Sequence, residues 1–553
     1  MTPTEPAFRQ HAIRRAVHAV AVALVAVALT GCGGNDGDSG SDGPVSAEQP
    51  IVHAVGNAAS GLQVFRFETF DNERFWTDAM RLQQGFAAAG VTPLQALELG
   101  LQIDSDALAP AMRTAIAAEL ATDRTPANAP LLNSPATTVA LINANAVIGL
   151  VPKDTNGNGT IDIAAGDKTG ASCALCHTIT DGSVYSMAGG GSIGRRLDGR
   201  ANHNLDFGRL IATALNTRAY YPVLQLALDA NNGKTLGRAP TGLRPTSTEA
   251  QVDAYLSNPA FYPRGTFDDT PDGNGDPMHN SALFRTDLAA PWGTDGGLGR
   301  LDNFSNLVYT ALLDPTQLTT AGGRAFLVKL GGAAAGNEIV DGYLQVLAAT
   351  GVTGFPYVQA APSPLAGMED APLGVRVDNA KLLDMNAYLN SLQAPAGIAG
   401  DPAVLARARD QFRQSCTGCH NVDQGRAVPA FTVPMATIWP GDMPVTLLAA
   451  RTPPLNPILD TPGNVTMNVI AIFDDKMAVV NASMRGGIRG TVMPLLLDLA
   501  RKPNYLHDSS VPTLDALLNP TRGATAPHPF YLGDAGARSD MVTYLRSLDT
   551  NSR

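Results

Sequence analysis

The chain carries apolar residues at helical spacing in two long stretches. Within Pro93–Ala121 they recur mostly every three or four positions, at Leu94, Leu97, Leu101, Leu108, Met112, Ile116 and Leu120. Pro402–Gln414 shows the same kind of pattern, with Leu405, Ala406, Ala408 and Phe412. Residues at this spacing share one face of an α-helix. We therefore predict helix in both stretches.

A nine-residue pattern occurs twice. Asp384–Leu392 and Asp540–Leu548 both read Asp-Met-x-x-Tyr-Leu-x-Ser-Leu. The methionine, the tyrosine–leucine pair and the last leucine fall on one face of a helix, so we expect Met385 and Met541 to lie in hydrophobic cores. The repeat predicts two related units that each end in such a helix, with a seam at Gln393–Gly400.

The N terminus has the pattern of a bacterial export signal. Basic residues precede a short apolar run, Ala16–Leu29, which falls short of the about 20 residues that a transmembrane helix needs. Residues 1–31 are therefore predicted to be a signal peptide. Leu29–Cys32 reads Leu-Thr-Gly-Cys, which resembles a bacterial lipobox and predicts lipidation of Cys32. The alternative is an ordinary cleaved signal with an incidental cysteine.

The residues after Cys32 indicate where the anchor lies. No aspartate follows this cysteine directly, so inner-membrane retention is not expected. We predict an outer-membrane lipoprotein of the bacterial cell envelope that faces the periplasm or the cell surface and meets the membrane through its lipid anchor. Residues 32–50 are rich in Gly, Asp and Ser, which is typical of a flexible tether.

Composition narrows the class of protein. Hydrophobic residues make up 44% of the 553 residues, which is enough to build sizeable cores. The 55 glycines and 39 prolines favour many loops between short helices. A formal net charge of −11 argues against nucleic acid as a partner.

Four of the five cysteines belong to two copies of one motif, Cys-x-x-Cys-His. Covalent haem attachment needs this pattern, because the two thiols add to the porphyrin vinyl groups and the adjacent imidazole then binds the iron. We predict two covalently bound haem c groups, one on Cys173, Cys176 and His177 and one on Cys416, Cys419 and His420.

Zinc sites and redox-active cysteine pairs are the alternatives for these motifs. A zinc site built from the four thiolates would leave both histidines unexplained. A thioredoxin-like motif would not place a histidine directly after the second cysteine in both copies. Both alternatives therefore account for fewer of the motif residues than haem does.

An acidic turn precedes the first haem motif. Asp154, Asn156, Asn158 and Asp162 occupy positions 1, 3, 5 and 9 of an EF-hand-like loop, with Gly159 at position 6. Position 12 lacks the bidentate acid of that loop. The turn is a candidate calcium site, and a plain Asx–Gly turn is the alternative.

The ligand on the far side of each haem decides its chemistry. A strong sixth ligand gives low-spin electron transfer, and an open side gives O2 or peroxide chemistry. Outside the signal peptide and the two motifs, the histidines are His53, His203, His279, His507 and His528. Met187, His203 and His279 are the candidate sixth ligands of the first haem.

The segment Lys502–Leu514 resembles the PYLHDGSVPTL stretch of the bacterial di-haem cytochrome c peroxidase superfamily, which includes the RoxA-type rubber oxygenases. The resemblance covers both haem motifs, their order and this segment, about half of the chain. Ser509 stands where the family usually has glycine. The methionine that ligates the C-terminal haem of the peroxidases is absent after this segment, whereas the RoxA-like branch uses a histidine. The resemblance therefore implies His507 as sixth ligand of the second haem, with Met484 or Met493 as the alternative.

The predicted fold is mainly α, with two cytochrome c domains, loop-rich insertions and a helical N-terminal extension. The extension is expected at residues 51–165, the first cytochrome c domain at 166–395 and the second at 396–553. The first domain has the longer chain between its haem motif and its C-terminal helix. A simple electron shuttle does not need that much protein around one haem, whereas a substrate site does.

These patterns and the resemblance together predict a lipid-anchored di-haem oxidoreductase. Its first haem, open or weakly ligated, would activate peroxide or O2, and its second would transfer electrons. The expected partners are a redox protein or a small electron donor, with peroxide, O2 or an apolar substrate at the first haem. The alternative is a non-enzymatic electron relay in which both haems are six-coordinate. The two differ in whether Met187, His203 or His279 reaches the first iron.

Overall fold

A computed structural model describes residues 56–552, except for 232–234, 236, 289–291, 293–297, 299, 364–370, 428–431, 439–470, 474–477, 482–488, 507–508 and 524–527. The described residues belong to one compact unit. The predicted signal peptide, the predicted tether and Cys32 lie outside the described residues. No helix in the described ranges is long and apolar enough to cross a bilayer.

Helix exceeds strand in the described part of the chain, which confirms the prediction of a mainly α fold. The α-helices there are α1 Ala58–Phe67, α2 Leu82–Ala89, α3 Pro93–Glu98, α4 Pro110–Leu120, α5 Pro135–Asn143, α6 Ala174–His177, α7 Phe207–Ile211, α8 Glu249–Leu256, α9 Leu301–Leu307, α10 Ala321–Ala349, α11 Asn379–Ser391, α12 Pro402–Ser415, α13 Met435–Ile438, α14 Leu514–Leu517 and α15 Ala535–Ser547. Helix α10 is kinked at Gly332, whose φ is +83°.

The described strands are at most four residues long. They are β1 Ile103–Asp104, β2 Leu150–Lys153, β3 Lys168–Ala171, β4 Thr178–Thr180, β5 Tyr185–Ser186, β6 Ser192–Gly194, β7 Arg196–Asp198, β8 Thr266–Phe267, β9 Met278–His279, β10 Ala361–Pro362, β11 Val375–Arg376, β12 Thr432–Pro434, β13 Ala471–Phe473, β14 Ala478–Asn481 and β15 Arg489–Val492. They form two-stranded ladders, a sheet in the order β1-β6-β5 and a sheet in the order β12-β15-β14-β13. In the first of these sheets, β1 pairs with β6 in parallel, with Ile103 opposite Ile193.

The helices predicted from the repeat and from Pro402–Gln414 are confirmed as α11, α15 and α12. Each begins after an aspartate whose side chain accepts backbone N–H groups of the first turn, at Asp378, Asp401 and Asp534. Such caps satisfy donors that have no partner inside the helix. Met385 and Met541 are almost completely buried, as predicted.

The predicted helical stretch Pro93–Ala121 is divided into α3 and α4. Gly100 lies just after α3 with a φ of +83°, and a Cβ there would be 1.9 Å from the carbonyl oxygen of Asn204. A left-handed residue in such close contact with another backbone ends the helix. Leu101 and Leu108 are buried although they lie outside both helices.

Two hydrophobic cores organise the described residues, and each contains one crossed pair of helices. In the first core α1 packs across α11, where the rings of Phe65 and Tyr388 are 5.7 Å apart. In the second core α12 packs across α15, where the rings of Phe412 and Tyr544 are 5.5 Å apart. The residues of the predicted extension share the first core with α11. The chain therefore inserts β-ladders and helices between α1 and the first haem motif.

Candidate functional site

The first haem motif lies between two short β-ladders. Strand β3 ends just before the motif and β4 begins just after it, and between them the backbone N–H of His177 donates to the carbonyl of Cys173 over 3.2 Å. Gly149 has no side chain, and this allows the turn to pack closely against its backbone. A Cβ on Gly149 would lie 2.3 Å from the Cα of Leu175, and its φ is +83°. The close approach of the two backbones fixes the position of the motif.

The imidazole of His177 is oriented by a backbone carbonyl. Its Nδ1 lies 2.8 Å from the carbonyl oxygen of Ser281. Burial lowers the pKa of His177, which favours the neutral form of the ring. A neutral imidazole that donates from Nδ1 carries its lone pair on Nε2, which is the state that a metal-binding histidine needs. His177 therefore fits the role of an iron ligand.

The thiols of the first motif are protonated and enclosed. Burial raises the pKa of Cys173 to about 11 and that of Cys176 to about 12. The Cys173 Sγ lies 3.3 Å from the Tyr309 hydroxyl and 3.9 Å from the Met385 Sδ, so α11 contacts the motif directly. Like the two cysteines of the second motif, Cys173 and Cys176 form no disulfide.

The second motif follows directly on a helix. Helix α12 ends at Ser415, and the backbone N–H of His420 donates to the carbonyl of Cys416 over 2.9 Å. Burial raises the pKa of Cys416 to about 11 and lowers the pKa of His420 to about 4. The chemistry of this motif thus matches that of the first: protonated thiols beside a neutral imidazole.

A second histidine ring faces His420. The ring centres of His420 and His528 are 6.4 Å apart, with an angle of 42° between the ring planes. The Nδ1 atoms of both rings are buried and have no hydrogen-bond partner among the described residues. Burial, followed by the neighbouring His420, lowers the pKa of His528 to about 4. Both rings are therefore neutral and available as ligands.

The candidate sixth ligands of the first haem lie in different surroundings. His279, on β9, is two residues from Ser281, and its Nε2 is 3.0 Å from the Nζ of Lys502. His203 follows Asn202, whose backbone N–H donates to the carbonyl of Cys176. Both segments therefore lie next to residues that contact the motif.

Met187 lies in a turn closed by its own backbone hydrogen bonds. Its N–H donates to the carbonyl of Gly191, and its carbonyl accepts from Gly190. The segment Gly190–Gly191 also meets the carbonyl of Leu97.

The candidate calcium turn is closed by its own hydrogen bonds. Both carboxylate oxygens of Asp154 accept backbone N–H groups of the turn, and the side-chain oxygens of Asn156, Asn158 and Asp162 each accept one as well. Asp167 also accepts backbone N–H groups from this turn. Among the described residues no three His, Cys, Asp or Glu side chains lie close enough to hold a metal ion. The contacts present are those of an Asx turn.

Two of the predicted ligands for the second haem lie outside the described residues, namely His507 and Met484. The neighbours of His507 form a narrow hairpin in which Tyr505 and Val511 exchange backbone hydrogen bonds of 2.7 and 3.3 Å. Met493 is buried against the first hydrophobic core.

Sequence reasoning assigned no role to His528, which stands in Pro-His-Pro. Its φ is +54°, a left-handed value that is rare for a residue other than glycine and disfavoured before proline. The flanking prolines were the available signal, because they mark a backbone with restricted freedom. His528 and His420 face each other although they lie more than a hundred positions apart in the chain.

Comparisons with known proteins add little. The chain matches no family model and no curated protein. Among solved structures it aligns with hydrazine synthase of Kuenenia stuttgartiensis, in a structure pressurised with xenon, with 12% sequence identity and a TM-score of 0.23. That alignment covers 60% of this chain and 91% of the other. So low a TM-score supports no conclusion on fold or function.

Proposed function

We propose that this chain is an exported, lipid-anchored di-haem c-type cytochrome that works as an oxidoreductase. The observation that carries the proposal is the matching state of the two motifs. In each, two half-buried thiols whose pKa is raised stand beside a half-buried imidazole whose pKa is lowered. Covalent attachment of one haem by each motif uses all six side chains.

The paired helices support two cytochrome c units. In a cytochrome c domain the N-terminal helix crosses the C-terminal helix close to the haem. Here α1 with α11 and α12 with α15 make such crossings, with a Phe–Tyr contact of 5.7 Å in one and 5.5 Å in the other. The first unit would hold its haem on Cys173, Cys176 and His177, and the second on Cys416, Cys419 and His420.

The two haem sites would have different roles. A haem with an open side binds and activates O2 or peroxide, and a six-coordinate haem passes electrons. In the first unit Ser281 holds the imidazole of His177 so that Nε2 is the free nitrogen. The Nε2 of His279 is occupied by Lys502, which supports an open first site. The second unit, with a histidine facing His420, would carry electrons from a redox partner or a small donor.

Expression with the bacterial machinery for c-type haem maturation tests this proposal. Mass spectrometry and the pyridine haemochrome spectrum should show two covalent haems. The double variants Cys173→Ala/Cys176→Ala and Cys416→Ala/Cys419→Ala should each keep one. A folded wild-type chain without covalent haem would refute the proposal.

Spectroscopy then separates the enzyme from the electron relay. Electron paramagnetic resonance of the oxidised protein should show one high-spin and one low-spin haem, and carbon monoxide should bind one haem after reduction. In the Cys173→Ala/Cys176→Ala variant the high-spin signal and the carbon monoxide binding should both disappear. Two low-spin signals without carbon monoxide binding would instead support the relay.

A further inference from the structure

The separation of His420 and His528 matches that of two ligands on one metal. Two imidazoles bound on opposite sides of one metal have ring centres about 6 Å apart, because each metal–nitrogen bond is about 2.0 Å and the nitrogen lies about 1 Å from its ring centre. The observed separation is 6.4 Å. The rings of Phe412 and His420 are also 6.4 Å apart, so this separation allows two ligands on one metal without requiring them.

The second observation concerns the Nδ1 atoms of the two rings. The buried Nδ1 atoms of His420 and His528 make no hydrogen bond with any described residue. A buried polar atom without a partner costs about 1–3 kcal/mol, so such atoms in a native structure indicate a missing ligand, ion or water.

The backbone around His528 holds it in a strained state. Its φ of +54° lies in the left-handed region although a proline follows. Residues in such conformations cost about 1–3 kcal/mol and occur mostly at functional sites. Arg522 donates to the His528 carbonyl over 3.5 Å, and the Phe530 ring meets the imidazole edge to face at 5.4 Å. These contacts aim the ring at His420.

We propose that His528 is the sixth ligand of the haem attached to Cys416 and Cys419, opposite His420. The assignment rests on the proposed function, because it needs that haem to be present. It replaces His507, which the sequence resemblance implied for the same position. The second haem would then have two histidine ligands, held by α12 on one side and by the loop after α14 on the other. Two histidines give a low-spin iron that has no open coordination site.

Three variants test the assignment on the matured, full-length protein. His528→Ala should convert the low-spin haem to high-spin, so that both haems bind carbon monoxide, and added imidazole should restore the low-spin signal. His528→Met should keep that haem low-spin, show the near-infrared band of histidine–methionine ligation and raise its reduction potential. His507→Ala should leave both haem signals as in the wild type.

The outcomes separate this assignment from the proposed function. If the wild-type chain matures without covalent haem, the proposed function and the assignment both fail. If it carries two haems, and His528→Ala leaves the low-spin signal while His507→Ala removes it, only the assignment fails. His528→Met controls for misfolding of the alanine variant. The absorption band of histidine–methionine ligation appears only if the side chain at position 528 faces the iron.

Discussion

Replacing Gly61 by alanine should separate α1 from α11. A Cβ at this position would lie 1.9 Å from the backbone carbonyl oxygen of Asp384, and the tightest ordinary contacts begin near 3.4 Å. No side-chain rotation can relieve a clash with a backbone atom. The two helices must therefore move apart by more than an ångström along a contact that includes Phe65 and Tyr388.

The expected loss follows from two opposing effects. Overpacking of a tight core costs about 1–3 kcal/mol, and this clash belongs at the upper end because a gap of even about 1 Å removes up to half of the dispersion attraction across it. Alanine gains about 1 kcal/mol over glycine in helix propensity. The net loss in the free energy of unfolding should be about 2 kcal/mol. In thermal unfolding that corresponds to roughly 3 °C, since an unfolding entropy of about 2.1 cal/mol/K per residue over a unit of about 340 residues gives about 1.4 °C per kcal/mol.

Thermal unfolding followed by circular dichroism measures this loss, with Gly331→Ala as the matched control. Gly331 lies in α10, where a Cβ would meet only the Ala335 Cβ at an ordinary 3.7 Å. The control should be as stable as the wild type or slightly more stable. Because α11 also places Met385 beside Cys173, Gly61→Ala should shift the absorption of the first haem. Equal stability of Gly61→Ala and Gly331→Ala would refute the close crossing.

Two further predictions concern the second crossing and a buried carboxyl. Phe412→Leu should remove about 0.5–1.5 kcal/mol of aromatic contact and perturb only the spectrum of the second haem, whereas Phe65→Leu should perturb only the first. Burial, followed by neighbouring carboxylates, raises the pKa of Asp268 above 3.8. The contribution of this carboxyl to stability is therefore lost as pH rises above about 4, and Asp268→Asn should equal the wild type near pH 4 but exceed it at pH 8 in denaturant titrations. A constant difference across that range would contradict the burial of a protonated carboxyl.

The helices that sequence analysis predicted correctly are those whose signals are local. In α11, α12 and α15 the apolar face repeats within one or two turns, and an aspartate at each start supplies the cap. The apolar pattern across Pro93–Ala121 was equally regular, yet α3 ends at Glu98, just before Gly100. Its end depends on the carbonyl of Asn204, a residue about a hundred positions away, which the local pattern does not contain.

The residues of the candidate site also differ in whether the local sequence predicts them. The haem motifs are visible in the sequence because attachment needs two cysteines and a histidine within five residues. The partner of His420 need only lie on the far side of the iron, so nothing restricts its position along the chain. Resemblance to a family therefore favoured His507, whereas the packing of α12 and of the loop after α14 brings His528 opposite His420. A sixth ligand is determined by tertiary structure, and measurements on the two histidine variants will show which assignment is correct.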